Sequence, residues 1–182
     1  MTVPTPTDPL EGIKLQLAFL YVAREDLSEA IRFGGAIESG DRVIDGGQHS
    51  THEAKALDIA LIVTYGRPFT RNYGFNEVSG ILNEAVKRLG PEQMEFHIRA
   101  IQLRNQEYAH MDAQPIDVQI HFDNMFEFSK AVTREPLDPP FVSGIIETAG
   151  ILLEFIKSQI ARLRQEYADA GGEVESLRMD GE

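Results

Sequence analysis

From Ile146 to Tyr167 the residues Ile146, Ala149, Leu153, Ile156, Ile160, Leu163 and Tyr167 recur in alternating steps of three and four. On an α-helix, which turns about 100° per residue, that spacing lays them along one stripe. Sustained over three heptads, it constrains the fold more than anything else in the chain. A helix this long with one apolar stripe needs a partner of matching length. An antiparallel helix of the same bundle can supply it, and so can a second subunit. Ala170-Gly171-Gly172 ends the helix.

The chain opens on another long amphipathic helix. Asp8 reads as an N-cap, with Pro9 at the first helical position and Glu11 reaching back. Leu10, Ile13, Leu17, Leu20, Leu27 and Ile31 then alternate steps of three and four, with Arg24 filling the one gap. An arginine there snorkels or pairs with an acid more often than it binds a ligand. Gly34-Gly35, Ser39-Gly40 and Gly46-Gly47 predict a loop afterwards. It lacks the lysine and Ser/Thr of a phosphate-binding loop.

Ser50 to Glu53 forms a capping box opening a second helix, apolar nearly all round from Ala54 to Tyr65 and expected to be the most buried element. Gly66 and Pro68 interrupt it as Arg67 and Arg71 arrive. A proline frees a carbonyl and kinks a helix, which would turn both arginines toward one pocket; the plainer alternative is that Pro68 ends the helix and the arginines are solvated. Near its start, His49, His52, Glu53 and Asp58 lack the spacing of a metal site, and no ligand set is assigned. His97 and His121 have no partner legible in the sequence. A third helix is expected from about Glu77 to Leu89, and Gly90-Pro91 separates it from a fourth.

In the fourth helix Met94, Ile98 and Ile101 predict the buried face, which Tyr108 extends. It runs into Leu103–Asp112, LRNQEYAHMD, where Asn105 falls in the stripe and Arg104 at its edge. A buried amide without partners costs about 1–3 kcal/mol, so these polar groups have a structural or a chemical task. In a straight helix His110 would lie roughly 120° around the axis from Arg104. For both to hold one small group, either the helix breaks near Tyr108 or a second copy of the chain completes the site. After Pro115 the period changes to two, over Ile116, Val118, Ile120 and Phe122, predicting a short strand or extended arm. Its expected partner is the Arg42–Ile44 segment or a second subunit. Phe126–Thr133 reads as a short helix before the proline-rich break Pro136 to Pro140.

A chain of 182 residues can form one domain with a real core. The reading places residues 1–7 as a disordered N-terminus, 8–170 as one all-α up-and-down bundle of about five helices, and 171–182 as a flexible acidic tail. No continuous apolar run reaches the roughly 18–20 residues of a membrane span, and MTVPTPTDP lacks a secretory pattern. The absence of cysteine excludes disulfides and thiol chemistry and fits a cytoplasmic location. The formal net charge of −12 disfavours broad binding to nucleic acid. The charge is uneven, however: Glu166 to Glu182 carries net −5, whereas Thr64 to His110 carries net +1. One local basic cluster is compatible with that balance.

Arg104-Asn105, three residues, then Ala109-His110 resembles the "RN, three residues, AH" signature of abortive-infection-type HEPN proteins, and Tyr65–Asn72, YGRPFTRN, looks like a second segment of the same group. The resemblance covers the helical body through Asp112; Met111 departs from it where a small polar residue is commoner. It implies a metal-independent endoribonuclease, with no cofactor, acting as the toxin of a toxin–antitoxin or abortive-infection system. In such cleavage the ribose 2′-hydroxyl attacks the neighbouring phosphate, leaving a cyclic phosphate and a 5′-hydroxyl. Histidine exchanges a proton near neutral pH and arginine holds phosphate oxygens. His110 is accordingly the candidate acid–base residue and Arg104 the phosphate ligand. Asn105 would orient the substrate or Arg104, and Arg67 and Arg71 would hold the RNA backbone. The resemblance further implies a homodimer pooling two motifs, with RNA as substrate and an antitoxin protein as partner. A catalytically inactive dimeric scaffold, or a small-molecule or nucleotide pocket lined by the same arginines, stands as the alternative.

Overall fold

The computed structural model describes residues 8–40, 52–70, 79–105, 120–123, 126–129 and 136–173. Among these residues five helices form an all-α bundle: α1 (Pro9–Glu38), α2 (His52–Gly66), α3 (Ser79–Val86), α4 (Pro91–Leu103) and α5 (Pro139–Asp169). The first and last are its frame. At 30 and 31 residues each spans about 45 Å at 1.5 Å per residue. They run antiparallel: Lys14 near the start of α1 lies over the Tyr167 ring near the end of α5, while Ser143 near the start of α5 donates to Glu38 at the end of α1.

Asp8 caps α1, its carboxylate accepting from Leu10 N at 2.9 Å. Glu11 does not reach back; it pairs with Lys14. Arg24 pairs with Glu25 and lies over the Tyr21 ring. Contrary to the loop expected there, α1 continues through Gly34-Gly35. Two glycines inside a helix each cost about 1 kcal/mol relative to alanine. The packing explains Gly34: a Cβ there would stand 2.5 Å from Ile146 Cγ1, so α5 approaches the α1 backbone directly.

The N-terminal half of α5 is buried on several sides, through Phe141, Val142, Ile145, Thr148, Ala149, Leu152 and Ile156. Farther on only Ile160, Leu163 and Tyr167 are buried, the single stripe that a lone neighbour requires. Asp138 caps this helix, accepting from Phe141 N at 2.9 Å and from Arg99 of α4 at 2.9 Å. Burial raises the Asp138 carboxyl's pKa, but Arg99 and the Phe141 N–H outweigh it and leave the pKa below the ordinary value. At the other end Gly171, at φ +85°, permits a paired cap: Gly172 N donates to Tyr167 O and Gly171 N to Ala168 O, both at 2.9 Å. By length and composition α5 could cross a membrane, with a mean hydropathy of 1.4 over its most apolar 18 residues. Half of that window is buried inside the bundle.

Packing overturns further expectations. The helix α2 is not the most buried element: Leu61, Ile62 and Tyr65 are fully buried, but Ile59 is 41% exposed, and α5 carries more of the core. The uniform apolarity of α2 hid the fact that one face alone meets α1 and α4. On α4 the buried residues are His97 and Ala100, and Ile98 of the expected stripe is 48% exposed. The face is rotated because α4 must serve two neighbours at once, Phe96 packing on Phe141 and Gly144 of α5 and His97 reaching Tyr65 of α2. Downstream, Ile120–Asp123 pairs antiparallel with Phe126–Ser129, Ile120 opposite Ser129. One edge of the strand is thus taken by its nearest neighbour in sequence, and the start of the expected Phe126–Thr133 helix is extended; the Arg42–Ile44 segment lies outside the described residues. With only two residues between the strands, closure entropy favours this pairing.

Candidate functional site

The last turn of α2 and the last turn of α4 meet, and the candidate residues that the structure describes gather there. Gly66 ends α2, and Arg67–Phe69 follow as a single 3₁₀ turn with Pro68 inside it. Arg104 follows α4 directly. Both arginines therefore stand at helix C-termini, where the unpaired carbonyls carry partial negative charge and favour a cation. The Arg104 N–H is shared between Ala100 O and Ile101 O. At Arg104–Asn105 the backbone widens to π-type winding, a departure often associated with functional sites. Regular α-helix ends at Leu103. His110, Tyr108 and Arg71 lie outside the described residues, as do Arg42–Ile44, the start of the capping box and the acidic tail beyond 173.

Arg104 is half-buried, its aliphatic stem lying against the Gly66 backbone. One terminal nitrogen donates to Asn105 Oδ1 at 3.0 Å. Its Nε is buried with no hydrogen-bond partner among the described residues. A buried unpaired N–H is costly, so this edge of the guanidinium is suited to an incoming acceptor. Asn105 itself is exposed, contrary to the buried amide expected from its place in the stripe. It lies seven residues, or about two turns, beyond the exposed Ile98 and shares that solvent-facing side of the helix.

Arg67 turns back to α1, donating to Asp26 Oδ1 at 2.7 Å. The Asp26 side chain is 8% exposed and that of Arg67 43%. Burial raises the Asp26 pKa, partly offset by the guanidinium. The helix ends, as in the plainer alternative for Pro68, but Arg67 is anchored rather than simply solvated, and Arg71 lies outside the described residues. Beneath the two arginines, Tyr65 Oη and His97 Nδ1 are hydrogen-bonded at 2.9 Å, and the Phe69 ring stands edge-on to His97 with centroids 4.8 Å apart. Burial holds His97 down at about 4, so it is neutral at physiological pH, and pushes the Tyr65 phenol well above its usual value. Among the described residues no group of three or more His, Asp or Glu could hold a metal ion. Asp58, weighed as a ligand, accepts from Leu137 N at 3.2 Å and ties α2 to the segment entering α5.

No family model, curated protein or solved structure matches the chain. The site therefore rests on its own geometry. Three of its members went unassigned in the sequence, although signals existed. His97, Ile101 and Arg104 share one helical face at steps of four and three; Asp26 interrupts the apolar run Ala23, Leu27, Ala30; and Gly66 directly precedes an arginine.

A neutral buried histidine has a measurable consequence. The folded pKa of His97 lies below the ordinary 6.5, so between those values the unfolded chain binds more protons. Its contribution is fully present above pH about 6.5 and is lost as pH falls toward 4, amounting to roughly 3 kcal/mol. Urea midpoints measured from pH 7 to 4 should fall through this window, and the fall should flatten in His97→Gln. An unchanged pH profile in that variant would place the acid sensitivity elsewhere.

Proposed function

We propose that this chain is a HEPN-type endoribonuclease that cuts RNA without metal, works as a cytoplasmic homodimer, and serves as the toxin of a toxin–antitoxin or abortive-infection system. The observation that carries the reading is the RN-three-AH sequence at Arg104–His110 together with the setting of its first residue. Arg104 stands at a helix end with a buried, unpaired Nε and one terminal nitrogen oriented by Asn105. A guanidinium so placed can take a phosphate oxygen and stabilise charge that grows in the transition state.

In the proposed reaction the 2′-oxygen of the ribose attacks phosphorus and the bond to the 5′-oxygen of the next nucleotide breaks. One His110 removes the 2′-proton, and the copy from the second subunit gives a proton to the leaving oxygen. A two-fold contact places both motifs opposite each other. Arg71 would hold the RNA backbone alongside. Arg67 has a double task, its guanidinium shared between Asp26 and the substrate.

The Asp26–Arg67 and Tyr65–His97 pairs also favour a second reading, in which polar contacts merely fix the packing of a binding or scaffold protein. One experiment separates the two. Purified protein is incubated with labelled tRNA and mRNA, with and without EDTA, and the product ends are mapped. Cyclic phosphate and 5′-hydroxyl ends, formed equally in EDTA, are expected. Intact RNA under all conditions would refute the nuclease.

A further inference from the structure

Gly66 adopts φ −78° and ψ −16°, ordinary right-handed backbone open to any residue. Its conformation therefore gives no reason for a glycine at the end of α2, where alanine is the better helix former. The reason lies across the interface. A Cβ at Gly66 would stand 2.9 Å from Arg104 Cγ, 3.2 Å from its Cβ and 3.4 Å from its Cδ. Those atoms are the near, constrained part of the side chain, so the arginine could not swing its tip aside to make room. The missing side chain is a notch that receives the Arg104 stem. Seated there, the guanidinium has its Nε buried and unpaired and one terminal nitrogen on Asn105. The Tyr65–His97 hydrogen bond, one residue before Gly66 on α2 and two helical turns before Arg104 on α4, fixes the two helices in register beside the notch.

We infer that Gly66 is a positioning residue for Arg104, holding its guanidinium in the orientation that presents Nε–H to an anionic oxygen. The functional part rests on the nuclease reading above; the positioning part does not. Two readouts keep them apart. The first is the Arg104 Nε–H resonance in full-length protein, whose exchange with water is slowed when the group is buried. Gly66→Ala should accelerate that exchange at least about tenfold.

The second readout is a double-mutant cycle on thermal midpoint. Gly66→Ala alone should lower the midpoint by at least about 2–4 °C, because the added carbon overpacks the seam. In an Arg104→Ala background the loss should be much smaller or absent, because the Cγ and Cδ it would strike are gone and only the Cβ at 3.2 Å remains. An equal loss in both backgrounds, or an unchanged exchange rate, would overturn the inference. If RNA is cut, Gly66→Ala should lower kcat at least about tenfold with KM nearly unchanged, as expected for an interaction realised in the transition state. Full activity in a variant whose Arg104 signal has moved would overturn the functional part of the inference, that this orientation serves cleavage. Absence of cleavage in the unaltered protein would refute the nuclease reading, and the exchange and stability measurements would still decide the role of Gly66.

Discussion

Phe141→Ala is expected to cost about 3–5 kcal/mol, the largest single loss of stability in the bundle. Phe141 is completely buried in the first turn of α5, with the Phe96 ring of α4 at 6.1 Å between centroids. The Arg99 guanidinium lies over the Phe141 ring, 4.0 Å from its centroid, and is itself paired with Asp138. Removing the ring leaves a void between two helices that the Arg99–Asp138 pair ties together at their present spacing, so the site can collapse only in part. It also strips Arg99 of its aromatic cover, worth about 0.5–1 kcal/mol at an exposed site. Chemical denaturation should show the loss as a lower urea midpoint at unchanged slope. A loss below about 1.5 kcal/mol would mean that α4 collapses onto α5 and that the seam is softer than its contacts imply. Phe141→Leu, which retains most of the volume, should cost much less.

The second large effect belongs to the proposed chemistry. Arg104→Ala is expected to lower single-turnover RNA cleavage about 10²–10³-fold, the usual cost of removing one preorganised transition-state donor. His110→Ala should remove cleavage altogether, with the dimer intact in sedimentation. Arg104→Lys should recover little, since an ammonium is a point charge without the planar fork that Asn105 orients. Arg67 requires a different design. Its alanine variant strands the buried Asp26 carboxylate, so a drop in activity would mix lost binding with lost stability. Arg67→Gln in an Asp26→Asn background removes both charges together and isolates the contribution to binding. Full cleavage by Arg104→Ala would show that the arginine is a packing residue at the end of α4, and a monomer with full activity would rule out the shared site.

Much of the frame was legible in the residues because it rests on local rules. The three-four spacing of α5, Asp8-Pro9 at the start of α1, Gly90-Pro91 at the start of α4 and Ala170-Gly171-Gly172 at the end of α5 each specify backbone within a few positions. The errors arose where a distant partner decides. Gly34-Gly35 reads as a loop until Ile146, more than a hundred residues away, is placed against it. The burial of His97 and the exposure of Ile98 depend on which side of α4 meets Tyr65, and no periodicity over 13 residues settles that. The candidate site was half-legible for the same reason. Arg104 and Arg67 stand out by type and spacing, whereas Asp26, Gly66 and His97 acquire meaning only when α1, α2 and α4 are side by side.

The pairing of α1 with α5 also bears on how the molecule is made. The two helices are separated in the chain by about a hundred residues, so their contact closes a long loop, and that entropy must be spent before the packing repays it. During synthesis Leu17, Leu20 and Leu27 emerge early and have no α5 to cover them. Until Ile145, Leu152 and Ile156 have left the ribosome, the nascent chain carries an open apolar stripe of the kind that chaperones hold and that drives aggregation. Translation interrupted before α5 would therefore yield a chain unable to close its core or to seat α4 on Phe141. A polypeptide built this way withholds the arrangement around Arg104 until its last helix has been made.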